Sequence, residues 1–253
     1  MEEKVTESKF KFPTEVVELP SKGLIYPKDN PLSSGKLEMK YMTAKEEDIL
    51  TNQNYIAKGI VVDKLLESLI VTKVNYSEIL IGDKDALLIA SRILGYGKDY
   101  EFNYAGEKIK VDLTTLKNNE LDASLIKDGK NEFTFKLPHT DNTITFKLLS
   151  QKDERQIQRE IDGLKKISPT LTQDLSVRMK HMLLSINGNS ERPVVRDFVD
   201  NGFLAKDARA FREYYASIVP GINTTISHEF ADGIEEDLDI PINANFLWPD
   251  FGV

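Results

Sequence analysis

The chain contains no cysteine, and this absence removes several kinds of chemistry. Disulfide bonds, thiolate nucleophiles and thiolate metal ligands all require cysteine, so the protein uses none of them. The lack of cysteine fits a reducing cytoplasm. The first residues, Met1–Lys9, lack the apolar run that a secretory signal peptide needs, so we expect no signal peptide.

An excess of basic residues is missing too. The chain has 33 lysine and arginine residues against 41 aspartate and glutamate residues, which gives a formal net charge of −8. Non-specific nucleic-acid binding needs a basic surface, and an anionic membrane gains nothing from an acidic protein. The most apolar stretches, residues 60–71 and 86–94, are too short or too interrupted to cross a bilayer. We therefore predict a soluble protein with no nucleic-acid and no membrane partner.

One stretch, residues 36–50, predicts a strand that leads directly into a helix. Apolar residues alternate with polar ones from Leu37 to Tyr41, which is the period of a half-buried strand. Thr43 and Glu46 then have the spacing of a capping box, in which each side chain bonds the backbone N–H of the other residue. The pattern predicts a helix that begins after Thr43.

The same pattern recurs in residues 143–154, where Ser150 stands 107 positions after Thr43 and Asp153 replaces Glu46. Capped strand–helix junctions resemble one another in unrelated proteins, so this match alone proves little. Further landmarks, however, follow in the same order in both halves. The matched segments are 16–20 with 133–138, 65–69 with 182–186, 84–86 with 206–208, and 100–113 with 224–242.

We therefore predict an α+β fold of two tandem pseudo-repeats, each in the order strand, strand, three helices, β-hairpin. The predicted helices cover about 43–52, 56–71 and 83–94, then 150–165, 171–186 and a last one that opens at 206. The predicted divisions are a flexible N-terminal tail at 1–12, a first repeat at 13–117, a second repeat at 118–243 and a C-terminal aromatic tail at 244–253. Two units of this length fit the usual size of domains.

No catalytic or metal-binding template is matched. A serine hydrolase needs Gly-x-Ser-x-Gly, which the chain lacks. His139, His181 and His228 lie far apart, and none belongs to a His-x-x-x-His pair. Gly95 and Gly97 follow a predicted helix, so they indicate a helix end instead of a phosphate loop. We predict no catalytic residue, no cofactor and no metal.

The clustered carboxylates have structural explanations. The pairs at 46–47 and 153–154 could serve a glycosidase, but each lies in the first turn of a predicted helix. The helix dipole favours negative charge there, by about 0.3–1 kcal/mol for each carboxylate. The acidic run at 232–239 lacks the spacing of a calcium loop and instead predicts a solvated hairpin turn and strand edge.

The C-terminal tail is a candidate contact surface. Its large apolar residues cost solvation free energy unless something covers them. They either fold back on the second repeat or dock in the pocket of a partner, where aromatic residues serve well as anchors. The predicted partner-binding residues here are Phe246, Leu247, Trp248 and Phe251.

A long proline-containing loop, residues 21–35, is the second candidate surface. Long loops of this kind often make contacts. Its apolar residues either pack beneath the loop or bind a partner. The predicted partner-binding residues here are Leu24, Ile25 and Tyr26.

Four segments together carry a resemblance to a known family. They are VELPSKGLIYP (17–27), KYMTAKEEDIL (40–50), LIGDKDA (80–86) with RILGYG (92–97), and FLWPDFGV (246–253). The chain resembles the baseplate hub assembly proteins of T-even-type (T4-like) tailed phages over nearly its whole length. The resemblance implies a late viral protein of the contractile tail's baseplate, made in the host cytoplasm, whose partners are other baseplate or hub proteins. It brings no catalytic residues with it.

The residues and the resemblance together predict a function without catalysis. We expect a baseplate hub assembly protein, an assembly factor or chaperone that binds other hub subunits. The alternative is a permanent structural component of the baseplate in the virion. A cell-wall hydrolase is a third possibility that no constellation of residues supports.

Overall fold

Alternating apolar residues and capped helix starts give the first half its order of elements. The computed structural model describes residues 13–127, 129–168, 170, 173–230, 233–242 and 244–247, so the predicted N-terminal tail at 1–12 lies outside it. Strand β2 buries Leu37 and Met39 and pairs antiparallel with β1. The elements are β1 (Thr14–Glu18), β2 (Lys36–Lys40), α1 (Ala44–Leu50), α2 (Gln53–Ala57), α3 (Val61–Leu69), α4 (Ile81–Tyr96), β3 (Asp99–Tyr104) and β4 (Glu107–Asp112).

The second half also opens with a strand pair and closes with a hairpin. Strand β7 is the centre of a three-stranded antiparallel sheet between β6 and β8. The elements are β5 (Asn118–Asn119), β6 (Phe133–Lys136), β7 (Thr143–Phe146), α5 (Gln151–Ile167), α6 (Asp174–Met182), β8 (Leu183–Ile186), α7 (Arg192–Asp197), a π-helical turn (Phe198–Gly202), α8 (Ala205–Ile218), β9 (Gly221–Ile222), β10 (Thr225–Glu229), β11 (Glu235–Asp239) and α9 (Ala244–Leu247). Helices and small antiparallel sheets confirm the predicted α+β class.

Three predicted elements need correction. The helix expected at 56–71 is two helices, because Gly59 adopts a left-handed φ of 65° between α2 and α3. The helix expected at 171–186 ends at Met182, and Leu183–Ile186 forms β8 along the free edge of β7. A short apolar run fits a helix or a strand equally well, and here the neighbouring strand decides. Helix α7, which has a proline in its first turn, was not predicted.

Both predicted capping boxes are present. The Thr43 N–H donates to the Glu46 carboxylate at 3.0 Å, and the Ser150 N–H donates to Asp153 at 3.0 Å. In each half the lysine three residues before the cap, Lys40 or Lys147, also binds the capping carboxylate. These similarities are those that a duplication produces, and the tandem repeat stays a prediction.

The buried side chains of both halves form one hydrophobic cluster. At the junction the Ile81 N–H donates to Leu149 O at 3.0 Å, and the Gln151 N–H donates to Ile79 O at 2.8 Å. Strand β5, just beyond the predicted boundary at 117, pairs with β9 near the end of the chain. The two halves therefore share a core, and the start of α4 lies at their junction. Among the described residues, no helix combines the length and the apolarity that crossing a membrane requires.

Candidate functional site

Helix α4 holds the predicted contact loop through a buried carboxylate in its first turn. Asp83 is fully buried and accepts hydrogen bonds from the Ser21 N–H (2.9 Å), the Ser21 hydroxyl (2.7 Å) and the Tyr26 hydroxyl (2.7 Å). The Tyr26 hydroxyl oxygen also accepts from the Leu80 N–H at 2.9 Å. We call Ser21, Tyr26, Leu80 and Asp83 the Asp83 cluster. It ties the start of the loop to the start of α4.

The electrostatics of the Asp83 cluster favour a fixed structure over proton transfer. Burial raises the pKa of the Asp83 carboxyl, although the hydrogen bonds from Tyr26 and Ser21 oppose this shift. Burial, and then the nearby Asp83, raise the pKa of the Tyr26 hydroxyl well above its ordinary value. Tyr26 therefore keeps its proton and acts as a permanent donor to Asp83.

The predicted contact residues of the loop fall mostly inside the protein. Ile25 and Tyr26 are buried, with exposed fractions of 5% and 8%, and Leu24 is half-buried. Apart from Lys22, the exposed residues of the loop begin at Pro27. Sequence reasoning singled out this loop but missed Asp83, a carboxylate in the first turn of a largely apolar helix, which is the signal that could have found it.

The far end of α4 is tied to the hairpin that follows it. The Arg92 guanidinium donates to the carbonyl oxygens of Gly97 (3.0 Å) and Asp99 (3.3 Å). It also lies over the rings of Tyr96 and Tyr100, at 5.4 and 5.8 Å from their centroids. These contacts position Tyr100 beside the last turns of α4.

The C-terminal tail returns to this same end of α4. Phe246 and Leu247 in α9 are buried, with exposed fractions of 0% and 4%, and α9 contacts α4. The Phe246 ring meets the Tyr100 ring edge-on at 4.9 Å, and the Tyr100 hydroxyl donates to Pro241 O at 3.1 Å. Folding back on the second repeat was one of the two alternatives for the tail, and these contacts are instead with the first half. Trp248 and Phe251 lie outside the described residues.

Three of the four segments singled out in the sequence contact the fourth, which forms α4. The segment at 17–27 supplies Ser21 and Tyr26 to Asp83, and the segment at 40–50 supplies Glu47, which accepts from the Tyr96 hydroxyl at 3.2 Å. The last segment begins with Phe246. No family model, curated protein or solved structure matches the chain. The resemblance therefore depends on these segments alone.

An apolar groove of about 310 Å³ lies between β1 and the outer face of α4. Its wall on the helix is made by Ala90, Ile93 and Leu94, and Val17 of β1 faces them. At its rim the Tyr41 hydroxyl donates to the Glu15 carboxylate at 3.3 Å. We call this surface the α4 groove. Sequence reasoning missed this groove, because residues 86–94 are apolar almost throughout and do not show which face of the helix stays uncovered.

The three histidines lie in separate places, and each takes part in a different contact. The His181 ring pairs with Glu160 at 2.9 Å, the His139 N–H donates to Asp207, and the His228 ring lies 3.8 Å from Glu107. Within the part of the chain that the structure describes, no group of three or more histidine and carboxylate side chains could hold a metal ion.

Proposed function

We propose that this protein is a non-enzymatic assembly factor of a phage baseplate hub, which binds other hub subunits in the host cytoplasm. The observation that carries the proposal is that three of the hub-like segments contact the fourth, which forms α4, although they are far apart in the sequence. Tyr26 bonds Asp83, Glu47 bonds Tyr96, and α9 packs on α4. Segments that resembled the family only by chance would be expected at unrelated places in the structure, whereas these segments contact one another.

The buried carboxylates support a binding role because each has a structural task. Glu46 and Asp153 cap helices, and Asp83 and Asp207 each hold a loop by accepting its backbone N–H groups. A general acid or base must instead face a reacting group within hydrogen-bond reach. Because these carboxylates hold the fold together, we infer that the protein acts by binding partners through its surface.

Only those predicted partner-binding residues that the fold leaves uncovered can contact a partner. Ile25 and Tyr26 anchor their loop, so the loop would meet a partner through the exposed segment that starts at Pro27. Phe246 and Leu247 anchor the tail in the same way, which leaves Trp248 and Phe251 as its partner-binding residues. Tryptophan and phenylalanine are efficient anchors in protein interfaces.

The test is a pull-down with the tagged full chain and a variant that ends at Leu247. The shorter variant keeps the buried Phe246 and Leu247, so it should fold as the full chain does. We expect the full chain to capture baseplate hub subunits from phage-infected cells and the variant to bind them at least about tenfold more weakly, about 1.4 kcal/mol. Leu175→Ala, which changes an exposed apolar residue elsewhere, is the matched control.

Two results would count against the proposal. Capture of no hub subunit by the full chain contradicts the function, and equal capture by the variant contradicts the role of the tail. A permanent baseplate component would be present in purified particles at a fixed ratio to the other baseplate proteins. Mass spectrometry of particles should find an assembly factor absent or well below that ratio.

A further inference from the structure

The α4 groove exposes apolar side chains on the most deeply buried helix of the first half. Ala90, Ile93 and Leu94 are only partly buried, although the other faces of α4 are covered by the rest of the protein. No other described residue fills the space between them and Val17. Covering this surface would be favourable at about 25 cal/mol for each Å² of apolar area removed from water.

Helix α9, the last described element before Trp248, packs on α4 close to the groove. The Tyr100 ring contacts both Phe246 and the Arg92 guanidinium, so α9 packs beside Arg92 on α4. Ile93, the next residue of α4, is turned by about 100° around the helix axis and belongs to the groove wall. The four residues that follow Leu247, up to Phe251, can span up to about 14 Å when extended, and a helix with its side chains is about 10–12 Å across.

We propose that the α4 groove binds Trp248 and Phe251 of the same chain. The chemistry of the two surfaces fits. The groove is apolar along Val17, Ile93 and Leu94, and its rim offers the Glu15 carboxylate as an acceptor. An indole ring has an apolar body and a single N–H donor, which suits an apolar groove with an acceptor at one edge.

The covalent connection favours this occupant over a separate molecule. A short link gives the tail an effective concentration in the millimolar range at the groove, so a partner at ordinary concentrations competes poorly. The proposal concerns the free protein and does not depend on the baseplate function. In the presence of a partner, the same two aromatic residues would have to leave the groove before they could bind elsewhere.

Trp248 is the only tryptophan, so intrinsic fluorescence reports on this residue alone. We expect the emission of the intact protein to be blue-shifted relative to free indole in water and protected from acrylamide quenching. Ala90→Arg fills the groove and should cause a red shift and a several-fold rise in quenching. Ala216→Arg on the exposed face of α8 is the matched control and should change neither. Circular dichroism checks that both variants fold.

Engineered disulfides give a second measurement, because the chain has no cysteine of its own. The double variant Val17→Cys with Phe251→Cys should form an intramolecular disulfide, whereas Ala216→Cys with Phe251→Cys should not. A fully quenchable Trp248 in the intact protein would overturn the proposal. Disulfide-linked dimers in place of monomers would overturn it too, by showing that the tail binds a second copy.

Discussion

Asp83 and Asp207 make the same contact in the two halves of the chain. Each is the third residue of its helix, and each accepts a backbone N–H at 2.9 Å from the loop of a strand pair, β1–β2 for Asp83 and β6–β7 for Asp207. The donors, Ser21 and His139, both come directly after a Leu-Pro pair. The sequence comparison had matched Asp207 with Asp85, so the contact corrects that match by two residues.

The two aspartates differ in what surrounds them, and this predicts opposite effects of removing their charge. Burial raises the pKa of Asp83. Burial also acts to raise the pKa of Asp207, but hydrogen bonds from Thr140 and His139 outweigh it, and the pKa is lowered. A raised pKa makes the folded state less stable as pH rises through that pKa. A lowered pKa makes it more stable once pH exceeds the unfolded value, near about 4.

We therefore expect Asp207→Asn to lower the urea denaturation midpoint at pH 8 more than at pH 3. The effect of Asp83→Asn relative to the intact protein should become more favourable as pH rises from 4 to 8. Urea titrations of both variants across this range test the difference in slope. If both variants show the same pH slope, the two carboxylates do not differ in the way that their surroundings indicate.

What the sequence could predict depended on how far apart the deciding residues are. Both capping boxes were predictable because Thr43 and Glu46, like their counterparts, are three residues apart and settle the helix start by themselves. The state of Leu183–Ile186 was not, because the hydrogen-bonding edge of β7 decides it from a distant part of the chain. Gly59 was a local signal for the break between α2 and α3 that the apolar periodicity masked.

In the candidate site too, features that depend on neighbouring residues were predictable and those that depend on distant residues were not. The loop at 21–35 and the tail were recognised from their apolar residues, which composition alone reveals. The contacts that hold the loop and the tail in place were not recognised. Tyr26 bonds Asp83 and Phe246 packs on Tyr100, and in each case the two residues are far apart in the sequence. Packing on the second half was one alternative for the tail, yet its described part, α9, packs on α4 of the first half.

The hydroxyl of Tyr26 carries two hydrogen bonds, so its removal should be costly. Tyr26→Phe deprives the buried Asp83 of one donor and leaves the Leu80 N–H without its acceptor. We expect a loss of about 1–3 kcal/mol in the free energy of unfolding, measured by urea denaturation at pH 7. Tyr104→Phe is the control, since that tyrosine is 44% exposed and should change stability little. Equal losses in the two variants would contradict a special role for the Asp83 cluster.

Asp85 should make the protein less stable as pH rises. Its carboxyl is partly buried in the cleft between α4 and β9, and no described residue donates a hydrogen bond to it. Burial raises its pKa to about 6, Lys84 opposes the shift and Asp83 adds to it. Because the folded pKa exceeds the unfolded value, the contribution of Asp85 to stability is most favourable below about pH 4 and falls through pH 6, by up to about 3 kcal/mol.

Replacing Asp85 by asparagine should remove most of this loss. We expect Asp85→Asn to unfold at a higher urea concentration than the intact protein at pH 8 and at a similar concentration at pH 4. Asp48→Asn removes an exposed carboxylate from α1 and serves as the control for net charge. A gain that is the same at both pH values would show that the titration of Asp85 is not its cause.

Gly82 lies where the backbones of the two halves approach closely, and this position allows one further prediction. A β-carbon on Gly82 would lie 1.6 Å from the Pro220 carbonyl oxygen, which belongs to backbone and cannot rotate away. Gly82→Ala must therefore separate the start of α4 from the segment before β9. Overpacking of this kind costs typically about 1–3 kcal/mol and occasionally more.

The matched control is Gly163→Ala in α5, where an added β-carbon would meet nothing within 4 Å. Alanine is favoured over glycine inside a helix, so Gly163→Ala should stabilise the protein by about 0.5–1 kcal/mol. Thermal unfolding of the two variants side by side should thus move the midpoint in opposite directions. Two increases would mean that the junction has room at Gly82 and that the halves are less tightly joined there than the structure indicates.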